Sequence, residues 1–373
     1  MNGHSRSGKS IATVGSEGDE IFWDLMVETL QELLYEPDLQ AARALYASVA
    51  AHDLSGQPVW PMLVAPPGSA KTTILEPLDQ FGYVHLIDKL TPNTFLSGQI
   101  TDKKTQRNPP SLLHRIGPSG VVVFPDFSTV LAMKADDKAS ILADLRRIFD
   151  GHLRKEVGTS GESPEWSGRI TCAVAVTPDI DRHYSVFQSL GERFVMIRWH
   201  RPGGEQEAEK AALMAMNQDP QIVRERLKDA AGALFDGPLP EDIAVPEHVQ
   251  ERIAALAEFV VRARTHVARG SDKRLMYMPE AEAPTRLSQQ LCQLARGSAR
   301  LSRRPTVNED DISLVFRVGF DCIPSIRWRI LQSHINGMDP SDDVIPKATK
   351  SYAQEDLASL GLLALNASSE END

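Results

Sequence analysis

Between about residue 58 and residue 200, apolar residues gather in short runs at 62–65, 83–87, 121–124, 170–177 and 194–199. The runs are rich in Val and Ile and apolar on consecutive residues, the pattern of strands covered on both faces. Stretches of helical spacing separate them, such as 138–149, where Ile141, Leu142, Leu145 and Ile148 share one face. Strands alternating with helices predict an α/β core built on a five-stranded parallel sheet with helices on both sides. The first strand is placed from Met62, because Pro61 has no N–H to give a ladder.

The flanks are helical. Phe22, Met26, Leu30, Leu33 and Leu34 recur at three- and four-residue spacing, Pro37 interrupts them, and a second helix is expected over 39–51. After His200 the strand pattern stops, and 204–236, 247–269, 284–301 and 308–335 are Ala-, Glu- and Arg-rich with helical periodicity. The predicted organisation is a mobile tail over 1–18, N-terminal helices over 19–57, the core over 58–200 and an all-helical lid over 201–336. A C-terminal segment over 337–373 holds a short amphipathic helix at 347–360 and a polar tail.

A net charge of -11 argues against a surface coated for nucleic acid. It leaves room for a local patch, for which Arg296, Arg300, Arg303 and Arg304 are the candidates. A solvated helix face and turn is the favoured reading of that run. No apolar run approaches the roughly 18–20 residues that span a bilayer, and the first ten residues lack an apolar leader core. Cys172, Cys292 and Cys322 stand far apart with no CxxC spacing. These features predict a cytoplasmic protein with no membrane partner.

Two segments match a phosphate-binding loop. Gly3-His4-Ser5-Arg6-Ser7-Gly8-Lys9-Ser10 fits the pattern GxxxxGK[ST] literally, but only two residues precede it, so no strand can feed it. Ala65-Pro66-Pro67-Gly68-Ser69-Ala70-Lys71-Thr72 departs from the pattern, yet it follows a predicted strand and opens a helix. In such a loop the backbone N–H groups of Pro67–Thr73 (Gly68, Ser69, Ala70, Lys71, Thr72 and Thr73, with Pro67 shaping the turn) surround the phosphates of ATP. Lys71 would bridge the outer phosphates, and the Thr72 hydroxyl would ligate Mg²⁺. Ala65 and Ala70 stand where glycine is usual, and either is penalised if its φ must be positive. The alternative is a Pro-Gly turn entering a helix with an incidental Lys-Thr.

A cradle of this kind needs a carboxylate near the metal, and the run 120–125 ends on Asp126, which fits that role. The next run ends on Thr177, a polar residue before Pro178. With these residues in order the chain resembles the AAA+ family of P-loop ATPases. The resemblance implies that Thr177 is a sensor contacting water or γ-phosphate from a strand between the two motif strands. It implies that Arg193, before the last strand, reaches the nucleotide of a neighbouring subunit. Pro284-Thr285-Arg286-Leu287 and Thr306-Val307-Asn308 resemble the lid of MoxR-like, magnesium-chelatase and minichromosome-maintenance ATPases, which makes Arg286 a second sensor. The family places Glu after the metal-site Asp as the hydrolytic base; here that position is Phe127, with Glu192 and Asp144 as possible substitutes.

The resemblance spans roughly 40–325. The segment 150–158 is similar to the hairpin of those clades, and the segments at 126–128 and 190–194 resemble ATPases of phage and mobile elements. It implies a homo-oligomeric ring or arc that remodels a protein or nucleic-acid partner in a mobile-element or defence setting. Phe127, Ala65 and Ala70 keep open a second reading, an ATP-dependent assembly switch with little turnover. A third is a DNA-binding regulator, since 345–363 resembles a degenerate winged helix with a recognition helix and a Leu-Gly-Leu wing.

Overall fold

The computed structural model describes residues 21–96, 111–156, 163–183, 192–200, 205–338 and 345–364. The tail with the literal motif at 3–10 lies outside the described residues, as do Gly158, Leu190 and Gly191.

Helix α1 (Ile21–Leu33) buries Trp23, Met26, Leu30 and Leu33 along the face that the spacing predicts. The chain bends through Glu36, at φ +40, and Pro37. Helix α2 (Leu39–Ala50) then starts at Asp38, whose carboxylate accepts the Ala41 N–H and so satisfies a first-turn donor. α2 is made largely of alanine and is buried on nearly every side.

Seven strands follow among the described residues: β1 (Trp60–Val64), β2 (Val84–Leu86), β3 (Ser119–Phe124), β4 (His152–Arg154), β5 (Glu165–Ser167), β6 (Arg169–Val176) and β7 (Phe194–Arg198). β4 and β5 make an antiparallel hairpin. The other five form one parallel sheet in the order β2-β3-β6-β1-β7. β1, β3, β6 and β7 are buried along almost their full length, as expected for strands covered on both faces, whereas β2, at the edge of the sheet, buries only Val84. The predicted start of β1 moves back to Trp60. Pro61 is tolerated because it pairs in register only with Val195 of β7, and the register with β6 begins at Met62.

Short helices α3 (Lys71–Leu75), α4 (Leu112–Ile116) and α5 (Ser128–Leu131) and the longer α6 (Ala135–Phe149) connect these strands. Beyond β7 lie α7 (Glu205–Met216), α8 (Pro220–Phe235), α9 (Glu247–Arg264), α10 (Thr285–Leu301), α11 (Glu309–Asp321), α12 (Ser325–Ile335) and α13 (Lys347–Ser359). The periodic stretch at 204–236 is two helices, because Pro220 restarts the chain under the Asp219 cap. Pro324, at the N-cap position of α12, divides it from α11. Asn308 and Asp311 close a reciprocal capping box at the start of α11.

The helical region is fused to the sheet layer. α10 lies so close to α2 that a Cβ on Gly297 would fall 2.0 Å from the Ala47 carbonyl oxygen. Buried side chains of the sheet and of the helical region form one continuous cluster. The arginines of 296–304 are neither a basic patch nor a solvated face. Arg296 donates to the Ser55 carbonyl (2.7 Å), Arg300 to that of Ala50 (2.7 Å) and Arg303 to that of Asp236 (2.8 Å). Arg304 pairs with both oxygens of the buried Asp311. Arg300 and Arg304 satisfy a carbonyl and a carboxylate that the packing takes out of water, and Arg296 and Arg303 tie down carbonyls nearer the surface.

α13 packs on α12 through Ala353 and Leu357, and Arg269 and Arg327 both hold Asp356 (2.6 and 2.9 Å). The expected Leu-Gly-Leu wing strand is absent from the described residues. Gly361, at φ +71, donates to the Ala358 carbonyl and Leu362 to that of Leu357. These two bonds make a left-handed helix stop, so glycine here ends α13 and starts no strand. Among the described residues no helix is long and apolar enough to cross a membrane.

Candidate functional site

Because the five strands run parallel, their C-terminal ends share one edge of the sheet. The segment 65–72 leaves β1 there, and its first N–H, on Ala65, bonds the Val176 carbonyl at the end of β6 (3.1 Å). Gly68 (φ +71) and Ala70 (φ +60) both adopt left-handed backbone. Open space surrounds the position a Gly68 Cβ would take. Ala70 has no such excuse, so the penalty anticipated for an alanine at this position falls on Ala70, while Ala65 keeps a negative φ. Ser69 is 3% exposed, and its buried hydroxyl has no hydrogen-bond partner among the described residues. Lys71 curls back so that its ammonium donates to the carbonyls of Ala65 (2.5 Å) and Pro66 (3.0 Å). Thr72 is exposed in the first turn of α3, and Thr73 is half-buried.

Asp126 and Thr177 emerge at the same edge. Asp126 follows β3 and is exposed, and Thr177 follows β6, the strand between β3 and β1. Ser128, which sequence reasoning did not single out, joins them. Its N–H donates to Asp126 Oδ1 (3.1 Å), and its hydroxyl accepts the Thr177 N–H (3.3 Å). Phe127 turns the other way. Its side chain is fully buried against Phe124 and Phe194, and its N–H is fixed on the Ala175 carbonyl (2.8 Å). The position after Asp126 therefore belongs to the core and not to the site.

A cleft of about 460 Å³ opens beside the loop. Gly68, Ser69, Ala70 and Thr73 form one wall, the bend at Leu34–Pro37 another, and Ala211 and Met214 of α7 the third. Tyr35 spans it, with its hydroxyl on Glu207 and Lys210 over its ring. Only the proline break at residue 37 hinted at this bend in the sequence.

The two predicted arginines lie elsewhere. β7 is parallel to β1, so Arg193, just before β7, sits at the edge opposite the loop. It is 8% exposed, donates to both oxygens of Asp150 (3.0 and 2.9 Å) and lies against the Phe149 ring. Burial pulls its pKa down against the pull of Asp150. Arg286 lines a hollow of about 420 Å³ with Asp150 and Gln57 at that same edge, 3.6 Å from Glu282. The substitute carboxylates are also engaged away from the loop. Glu192 pairs with the buried Arg264, and Asp144 with Lys155 (2.6 Å).

A charged junction ties the cleft to the helical region. Arg317 of α11 grips both oxygens of Asp38 and donates to the Arg198 carbonyl (2.9 Å). Burial would raise the Asp38 pKa, but hydrogen bonds from His200 and Arg317 hold it well below the usual carboxylate range. Asp321, which accepts the Arg198 N–H (2.9 Å), is pushed up to about 6 because burial outweighs the nearby Arg317. Raised above its unfolded value, it makes the native state bind the extra proton, so its contribution to stability falls as pH rises from about 4 to about 6. Asp321→Asn should flatten that slope, measured by denaturant unfolding at about pH 4.5 and about pH 7.

No protein-family model matches the chain, and no curated protein is detectably similar to it in sequence.

Proposed function

We propose that this chain is an ATP-binding module of the AAA+ type that assembles with copies of itself and turns ATP over slowly. The observation that carries this reading is the convergence, at one edge of a parallel sheet, of three features. These are the left-handed loop 65–72, the exposed Asp126 and the polar end of the strand between them, Thr177. The loop fits a phosphate chain: Gly68 leaves room for close approach, and the buried Ser69 hydroxyl has no partner among the described residues. Lys71 would exchange its carbonyl partners for phosphate oxygens. Thr72 and Asp126 would hold Mg²⁺, whose positive charge would offset that of the phosphates. The cleft of Leu34, Tyr35 and Met214 would take the base.

Arg193 and Arg286 cannot serve the loop of their own chain from the opposite edge. They favour a site completed by a second copy, with Arg286 (35% side-chain exposure, paired loosely with Glu282) nearer to hand than the buried Arg193 held on both oxygens of Asp150. Phe127, buried where a base is usual, and the engagement of Glu192 and Asp144 favour the assembly switch over a fast motor that remodels a protein or nucleic acid.

Lys71→Ala is expected to weaken binding of a fluorescent ATP analogue with Mg²⁺ by about 10- to 100-fold, the loss of one charge-assisted contact. Thermal unfolding without nucleotide should be little changed. Unaltered affinity, read by fluorescence anisotropy, would sink the reading.

A further inference from the structure

The segment 268–278, between α9 and α10, is a small built hairpin. Arg269 bridges Leu275, Gly270 donates to the Arg274 carbonyl (2.9 Å) and Met276 to that of Ala268 (3.0 Å). Lys273 makes the turn at φ +63. Arg269 clamps the hairpin to α13 by bonds to Glu355 (3.0 Å) and Asp356 (2.6 Å), with its guanidinium 4.7 Å from the Tyr352 ring centroid. On this fixed base Leu275, Met276, Tyr277 and Met278 are 39%, 66%, 61% and 73% exposed. Exposed Lys273 and Arg274 precede them. A consecutive run of large apolar side chains held out on a hydrogen-bonded scaffold points to a contact surface.

A matching surface exists on α7. None of its described side chains is buried, although its second half is apolar. Glu207, Ala211 and Met214 line the cleft as one stripe. Glu209, Leu213 and Met216 make a second stripe facing out, with Leu213 49% and Met216 73% exposed. The outer stripe runs from acid to apolar, and the hairpin runs from basic to apolar, so the two are complementary in charge and in order. They also flank the two halves of the divided site: α7 borders the loop 65–72, and the hairpin leads into α10, which carries Arg286.

We infer that the hairpin 268–278 of one copy docks on the outer stripe of α7 of a second copy, head to tail. The inference rests on the proposed ATP site being shared between copies. The contact is heterologous, with different surfaces meeting, so it propagates into a ring or an open filament. It also covers the face of α7 that the described residues leave open.

Sedimentation velocity of the full chain over a range of concentrations, with and without ATP and Mg²⁺, tests this. Self-association should strengthen with protein concentration, and Met276→Asp with Tyr277→Asp should weaken it by about 30-fold or more, as for loss of an interface anchor. Lys273→Glu with Arg274→Glu should also weaken it, and mixing that variant with Glu209→Lys should restore association between the two. Wild-type-like assembly of M276D/Y277D, or no restoration on mixing, overturns the inference, as does a chain that stays monomeric throughout. ATP-analogue binding by M276D/Y277D at low concentration separates the two ideas. Absent binding with hairpin-dependent assembly defeats the ATP reading alone, and binding with hairpin-independent assembly defeats this one alone.

Discussion

Phe127→Glu is expected to destabilise the fold by at least about 3–5 kcal/mol and to give no gain in ATP turnover. The substitution would make the sequence around Asp126 look more like an active ATPase, yet the side chain at this position is fully buried against Phe124 and Phe194. Removing a buried phenyl ring alone costs about 3–5 kcal/mol. A carboxylate there would lie against aromatic rings, and the Phe127 N–H could not serve it because it already bonds the Ala175 carbonyl. Urea unfolding measures the loss, and phosphate release measures turnover. Phe127→Leu, which stays apolar, should lose far less stability. A folded Phe127→Glu variant with raised turnover would show that the segment after β3 can turn over, and the low-turnover reading would have to be abandoned.

Gly297→Ala should lower stability by about 1–3 kcal/mol, although alanine is ordinarily the better helix former. The added Cβ would meet the Ala47 carbonyl oxygen at 2.0 Å and the Ala51 Cβ at 3.0 Å. Both belong to α2 and the turn after it, and a backbone carbonyl cannot swing away as a long side chain does. The two helices would have to part, and the bonds from Arg43 to Ser298 (3.1 Å) and Ser302 (2.8 Å) would stretch with them. Gly232→Ala in α8 is the control. Its Cβ meets only the Gln80 side chain at 3.4 Å, so the helix propensity gain should appear unopposed. Thermal unfolding of the two variants side by side should move in opposite directions.

The sheet was readable because its signal is local. Each buried strand is a run of consecutive apolar residues, and strand after helix after strand leaves a parallel sheet as the natural arrangement. Parallel strands put their ends on one edge, so the loop, Asp126 and Thr177 could be grouped from order alone. What failed to show in the sequence depends on which partner a residue meets in the fold, near or far along the chain. Arg300 looks like surface charge until the Ala50 carbonyl is beside it, 250 residues away. Phe127 resembles a defect in a motif until its ring is seen between Phe124 and Phe194. Leu360-Gly361-Leu362 reads equally as a strand or a helix stop, and only the bonds to Leu357 and Ala358 decide. Ser128 carried no signal of its own, since a serine after a strand is commonplace in turns.

The arginines that reach across to Ser55 and Ala50 also determine how the molecule can be divided. A cut at residue 200 looks natural by secondary structure, since strands lie on one side and helices on the other. It would nevertheless strip α10 from α2 and bare an alanine-lined surface with nothing else to cover it. The two parts are separate in architecture but not in solvent exclusion, and neither half holds a complete interior of its own.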